Sequence, residues 1–277
     1  MEIKVIPAGR SWSDPGGPFG LVPEVLWKRH YETDEQHLLP MDLNCLLIKS
    51  EGRTILVDNG LGDKLNEKAM RQWKLEFPQG TLIENLAKQG VSPEDVDIVL
   101  DTHLHADHCG GNTTIREGEL VPTFPNAEYW VQQMEWADAM NPNARTRATY
   151  IADNIEPIWS AGQFKLLNGD TDVTSEVRCV VTPGHTRGHQ CVVIEGKERP
   201  YLYAADLASF AIHFQRTAWL TAFDVEPLET IRTKELWQQW ALEHEAILLF
   251  EHDPKFIAGK LVRDDQGHLG IEPVAIS

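Results

Sequence analysis

The sequence predicts a mixed α/β fold, on three observations. Short apolar runs rich in Val, Ile and Leu alternate with stretches whose apolar residues recur at helical spacing, as strands and helices in turn require. Several of those runs end on a histidine or an aspartate, so ligand-type side chains stand just past strand ends, where a rigid scaffold presents its chemistry. The 277 residues contain no Pro/Gly/Ser-rich linker, repeat or low-complexity tract, so one domain over residues 1–277 is expected.

The elements follow in order. Ile3 to Ile6 is a strand, and Asn44 to Lys49 with Thr54 to Val57 form a hairpin around Glu51-Gly52. Thr81 to Gln89 is helical, with Leu82, Ile83, Leu86 and Ala87 on one face. Ser92-Pro93-Glu94-Asp95 has the signature of a helix start: a capping side chain, proline in the first turn, then acids near the positive end. Val96 to Leu100 is a strand that leads into THLHADHCGG, Thr102 to Gly111. Glu128 to Val131 is a strand and Met134 to Met140 a short helix. Val177 to Thr182 runs into Pro183-Gly184-His185, and Tyr201 to Ala204 runs towards Asp206. Leu228 to His244 is the longest helix, and Ala246 to Phe250 ends in Glu251-His252-Asp253.

THLHADHCGG sets His103, His105, Asp107 and His108 within six residues. Imidazole and carboxylate are ligands that borderline divalent ions such as zinc prefer. If the segment stays extended, alternate side chains share a face, so that His103, His105 and Asp107 converge while His108 points towards a second ion. Two ions need further ligands, and the histidines and acids past the later strand ends are of the right type.

Composition bounds the function. A formal net charge of -17 argues against nucleic acid and against anionic membrane surfaces as partners. Met1 to Arg10 lacks a basic start followed by an apolar run, and no stretch is apolar enough to span a bilayer. Cys45, Cys109, Cys179 and Cys191 form no CxxC pair, so reduced thiols and a cytoplasmic location are expected, with Cys109 a small packing residue.

HxHxDH followed by His185 in TPGHTRGH, Asp206 and His252 resembles the metallo-β-lactamase superfamily, and most of all its N-acyl-homoserine lactonases, the quorum-quenching lactonases. LVDNGLG at Leu56 to Gly62 and FGLVPEVLW at Phe19 to Trp27 extend the resemblance over nearly the whole chain. It implies an αββα four-layer sandwich. It also implies two divalent ions, zinc by default with iron, manganese or cobalt also admitted by the donor set. His103, His105 and His185 match the ligands of the first ion; Asp107, His108 and His252 match those of the second; Asp206 matches a bridging carboxylate. Asp58 matches an acid that orients a ligand histidine, and His189 a histidine with a structural role.

The implied activity is opening of lactones, N-acyl-homoserine lactones included, by a hydroxide held between the two ions, with Asp107 relaying a proton to the leaving oxygen. The partner is then a small lactone or ester, and a homodimer is an assembly that the resemblance admits without fixing the oligomeric state. Phosphotriesterases or arylesterases of the methyl parathion hydrolase type are the competing reading; a di-iron redox or sensing protein is a more distant one, since no flavin-binding domain accompanies the motifs. Metallo-β-lactamases proper, which often use a cysteine at the second ion, and glyoxalase II enzymes, which need a glutathione-binding carboxyl-terminal region, fit less well. One departure stands out. Some of these lactonases carry a tyrosine three residues after the bridging aspartate, and this chain has Ser209, followed by Phe210 and His213. His213 is the candidate to donate to the substrate carbonyl in its place, the other reading being a polar residue on a partly exposed loop. Phe19, Leu21, Trp27, Ser209, Phe210, Trp219 and Phe223 are expected around the substrate pocket, although aromatic residues also fill cores.

Overall fold

Strand-forming runs and turn residues build two large sheets, of six and seven strands. The computed structural model describes residues 1–276. The chain divides into two compact units, one of Met1–Arg10 and Leu43–Thr174, the other of Ser11–Asp42 and Ser175–Ser277.

The first unit is built on β1 (Glu2–Ser13), β2 (Leu39–Ser50), β3 (Arg53–Val57), β4 (Ile98–Leu100), β5 (Thr113–Arg116), β6 (Glu119–Pro122), β7 (Glu128–Gln132) and β8 (Phe164–Leu167). Six of these form a sheet of order β1-β2-β3-β4-β7-β8, while β5 and β6 pair as a separate hairpin. β2 and β3 are antiparallel around Glu51-Gly52, with Ser50 opposite Arg53. From β3 onward the neighbours are parallel, Val57 lying opposite Leu100 and Leu100 opposite Trp130. Parallel pairing aligns the carboxyl ends of β3 and β4, so Asp58 and Thr102 emerge side by side. Leu47, Leu56, Val99, Leu86 and Phe124 fill the core beneath them, all at 2% exposure or less. Each such side chain contributes about 1.5–3 kcal/mol relative to an exposed one.

The second sheet has β9 (Thr171–Asp172), β10 (Val177–Val181), β11 (Gln190–Ile194), β12 (Tyr201–Tyr203), β13 (Ile247–Leu249), β14 (Ala258–Arg263) and β15 (Leu269–Pro273), in the order β15-β14-β13-β12-β11-β10-β9. Here β12 and β13 are the parallel pair, Tyr203 opposite Leu249, which brings the segments leading to Asp206 and His252 out at one edge. The helix Pro227–Glu243, with proline in its first turn, supplies Ala241 to the core of this unit, beside Leu202, Leu248 and Phe250.

Several elements differ from expectation. The first strand runs to Ser13 rather than stopping at Ile6. Ser92 caps only a single 3₁₀ turn, Pro93–Asp95, because β4 begins three residues later. Thr81 does start a helix, Leu82–Lys88, through a reciprocal capping box with Glu84. The tail after His252 carries β14 and β15, paired from Gly259–Pro273 to Arg263–Leu269. Among the described residues no helix is long and apolar enough to cross a membrane.

Candidate metal centre

Past β4 the chain bends at Thr102, His105 is extended, and His103 and His105 bring ring nitrogens within 4.8 Å of each other. There the alternation ends. Ala106–Cys109 is one helical turn, with the His108 and Cys109 N–H groups bonded to the His105 carbonyl at 3.1 and 3.0 Å. The expected convergence of Asp107 with the first two histidines by strand alternation is therefore corrected. The turn carries Asp107 to the side of His108, where their ligand atoms lie within 4.8 Å.

The turn is held tightly. Buried Glu135 accepts from the Leu104 N–H and from the Tyr150 hydroxyl, both at 2.9 Å. Gly110 and Gly111 have no room for side chains: an added Cβ would lie 2.6 Å from Leu61 backbone or 2.5 Å from the Asn59 carbonyl oxygen. Lys64 donates to the Gly110 and Thr113 carbonyls. Burial brings its ammonium down to about 8, against the pull of Cys109, Asp63 and Asp153. Cys109 is enclosed by Leu104, Val131 and Ile155, and burial, followed by the charge of Asp101, pushes its thiol well up.

Asp58 sits at φ 54°, a left-handed conformation that costs a non-glycine residue on the order of 1 kcal/mol. Its carboxylate accepts from the Thr102 N–H and hydroxyl, each at 2.8 Å, and meets His108 Nδ1 at 3.1 Å. The Thr102 proton is thereby committed, so its oxygen accepts from His103 Nδ1 at 3.1 Å. His103 and His108 thus hold their protons on Nδ1, leaving Nε2 as the ligand atom.

The second unit repeats this logic. Gly184, at φ 140°, lets the chain pass Thr230, whose backbone nitrogen would lie 2.4 Å from an added Cβ, and delivers His185. His185 Nδ1 is held by Asp224 at 2.9 Å, and His252 Nδ1 by the Asp42 carbonyl at 2.9 Å. Their Nε2 atoms face different oxygens of Asp206: His185 lies 3.1 Å from Oδ2 and His252 3.4 Å from Oδ1. Ser209 donates to Asp206 Oδ1 at 2.6 Å. Ala205, just before the aspartate, is also left-handed at φ 43°. His189 Nε2 accepts from the Asp206 N–H at 3.2 Å, and Nδ1 meets Thr182 Oγ1 at 2.7 Å, so both ring nitrogens are engaged.

Asp224 escaped the sequence reading. Burial acts to raise its pKa, but His185, the Thr221 hydroxyl and Lys234 together outweigh burial and hold the carboxyl below its ordinary value. The donor chemistry fits divalent ions: histidines with oriented Nε2 atoms, and carboxylates between or beside them.

Phe19, Trp27, Tyr31, Phe210 and Ile212 form a buried cluster in the second unit, with Trp219 packed against it. Phe19 stacks on Trp27 at 5.2 Å and on Phe210 at 5.8 Å. Leu21 lies outside this cluster in solvent, and Phe223 is 41% exposed. The reading of His213 as a partly exposed loop residue fails: it is 1% exposed on the helix Ala211–Gln215, edge-on to Phe19 and Phe210. Its Nδ1 accepts from the Phe210 N–H at 3.3 Å, which puts the proton on the buried Nε2. Burial, then the charge of Lys234, lowers its pKa to about 3 against the pull of Asp224, Asp206 and the Pro18 carbonyl, so the ring is neutral. Buried Lys234 donates to the His213 carbonyl at 3.2 Å and the Trp219 carbonyl at 2.6 Å, a brace that no motif announced.

Residues 40–235 match the family model of the metallo-beta-lactamase superfamily. An N-acyl homoserine lactonase of a Bacillus species is 30% identical over 228 residues, covering 78% of this chain and 83% of the relative. A probable metal-dependent hydrolase from Staphylococcus aureus superposes with a TM-score of 0.88 at 28% identity, over 100% of this chain and 98% of that one. AidC, a dizinc quorum-quenching lactonase solved with a product bound, shares the fold with a TM-score of 0.80 at 21% identity, over 99% of this chain and 95% of its own. The fold is thus the α/β metallo-beta-lactamase fold, and the chain belongs to the metallo-beta-lactamase superfamily as one of its hydrolases.

Proposed function

We propose that the chain is a dinuclear metal-dependent lactonase, opening N-acyl-homoserine lactones or related lactones. The observation that carries this reading is Asp206, whose two oxygens each face the Nε2 of a different anchored histidine, at 3.1 and 3.4 Å. A carboxylate so placed suits a bridge between two ions. On this reading His103, His105 and His185 hold one ion, Asp107, His108 and His252 the other, and Asp206 both. The relative at 30% identity named as an N-acyl homoserine lactonase supports the substrate class.

Divalent ions held there supply Lewis acidity towards a carbonyl and lower the pKa of water towards neutrality. The chain's own groups do the rest. Asp107, partly exposed beside His108, takes the proton of the attacking water and passes it to the ring oxygen as the ester bond breaks. Neutral His213 donates its Nε2–H to the substrate carbonyl, the task a tyrosine performs in some lactonases of this type. Ser209 is committed to Asp206 and positions that carboxylate rather than the substrate. The rings of Phe19, Trp27 and Phe210 back the wall from which His213 projects and keep water from it.

A hydrolysis panel of acyl-homoserine lactones, other lactones, an aryl ester, a thioester and a phosphotriester tests this reading. The lactones should show the highest kcat/KM. A phosphotriester preference would replace the lactonase reading with a phosphotriesterase.

A further inference from the structure

His103 and His105 lie on a stretch of chain that belongs to no strand or helix, between β4 and the helical turn Ala106–Cys109. No sheet ladder therefore sets the posture of these two rings. Leu104, between them, gives its N–H to Oε1 of Glu135 at 2.9 Å. Glu135 stands in the first turn of the helix Gln133–Met140 and is 0% exposed. Leu104 is also 0% exposed, so its N–H has no water to turn to. Without this acceptor the backbone between the two histidines would have to move to find another.

The same oxygen accepts from the Tyr150 hydroxyl at 2.9 Å. Tyr150 is buried, and its ring centroid lies 5.2 Å from that of His105, with the planes inclined at 52°. One residue earlier, the Thr149 carbonyl accepts from the Ala106 N–H at 3.0 Å. That N–H is an otherwise orphan donor at the start of the turn that carries Asp107 and His108. A single carboxylate oxygen thus ties the ligand segment to the loop that walls it. Sequence gives no hint of this, since Glu135 follows the cluster by some thirty residues and reads as a surface acid of a short helix.

We infer that Glu135 is a positioning residue for the His103–His105 pair: it fixes the backbone between the two rings through Leu104 and seats Tyr150 against His105. The inference rests on the reading of those histidines as ligands of an ion, and it is independent of lactones as the substrate.

Zinc affinity of the full chain, by competition with a chromophoric chelator, is the readout, with the unfolding temperature measured beside it. Glu135→Ala should weaken zinc binding by about 10–100-fold, the loss typical when the partner behind a metal ligand is removed. Glu135→Gln keeps an oxygen that can accept from both donors and should stay within about threefold of the wild type. Tyr150→Phe keeps the ring but gives up the hydroxyl, and should fall between the two. Ile158→Ala truncates the core of the same unit in a cluster that contains neither Leu104 nor Tyr150. It should lower the unfolding temperature and leave zinc affinity unchanged. A Glu135→Ala chain that behaves as Ile158→Ala does, less stable but binding zinc as before, overturns the inference. Equal losses in Glu135→Gln and Glu135→Ala also overturn it, because charge and not position would then decide. Should Glu135→Ala fail to fold, Tyr150→Phe and Glu135→Gln decide the matter, and equal affinity in that pair overturns the inference. A wild-type chain that takes up no zinc is a distinct failure, which removes the metal reading and this inference with it.

Discussion

His185 and His252, in the second unit, are each fixed by the far ring nitrogen before any ion is considered. His185 leans on Asp224, and His252 on the Asp42 carbonyl. Removing such a partner typically costs 10–100-fold in metal affinity. Asp224→Ala should therefore weaken zinc binding by about that factor, read by competition with a chromophoric chelator; unchanged affinity would take Asp224 out of the site. The ligand-type residues themselves were legible because HxHxDH and GHTRGH concentrate them locally. Their anchors were not. Asp224 lies 39 residues from His185, and the partner of His252 is a backbone carbonyl 210 residues away that any residue type could supply. His213 was legible only as a replacement for an absent tyrosine; its tautomer and burial come from folding. His213→Ala should lower kcat/KM for lactones by about 1–3 kcal/mol of transition-state stabilisation, with the metal content unchanged. The same lactone kinetics in that variant would return the ring to a packing role. Its acid behaviour has a definite sign. With a folded pKa of about 3 against an ordinary 6.5, the unfolded chain takes up a proton that the folded chain refuses as pH falls from 6.5 towards 3, so this histidine withdraws stability across that window.

Hydrophobic runs were enough to place most of the central strands and the longest helix at the scale of elements. They failed where structure is short or set by its neighbours. The turn Ala106–Cys109 has only four residues, too few for periodicity to show, yet it redirects Asp107 from the His103 face to the side of His108. The tail strands β14 and β15 include Gly259, Gly267 between them and Gly270, and their pairing rather than their composition makes them strands. In the helix Pro227–Glu243, Lys234 looks like a surface residue by type, but it is 1% exposed and reaches two carbonyls of the segment that carries His213 and Trp219. Burial lowers its pKa to about 8 from 10.5, Asp224 pulling the other way. Between pH 8 and 10.5 the unfolded chain then holds more protons than the folded one, so the contribution of Lys234 to stability rises with pH over that interval. Denaturant unfolding of the wild type and Lys234→Met should show the difference between them moving in favour of the wild type from pH 8 to pH 10, on the order of 2 kcal/mol. A pH-independent difference would mean that the ammonium is not desolvated as the geometry indicates.

Over the whole molecule, the chain passes from the first unit into the second at Ser11, back at Leu43, and across again after Thr174. None of these crossings is marked in the sequence by a linker, because β1 and β2 run through the first two as continuous strands. The ligand-type residues divide likewise, His103, His105, Asp107 and His108 in one unit and His185, Asp206 and His252 in the other. If both sets close on one pair of ions, as the proposed function requires, metal binding is linked to the folding of both units at once. An ion at about a hundred times its dissociation constant adds about 2.7 kcal/mol to the stability of whatever must be folded to bind it. Zinc-loaded protein should hold two equivalents per chain and unfold in one transition. Chelation should lower the unfolding temperature and separate the transitions of the two units, and Asp206→Ala should reproduce this in the presence of zinc, since without that carboxylate two cations face each other unscreened. One equivalent at saturation would contradict a dinuclear site. Melting curves that superimpose with and without chelator would show that the two ligand sets do not share their ions.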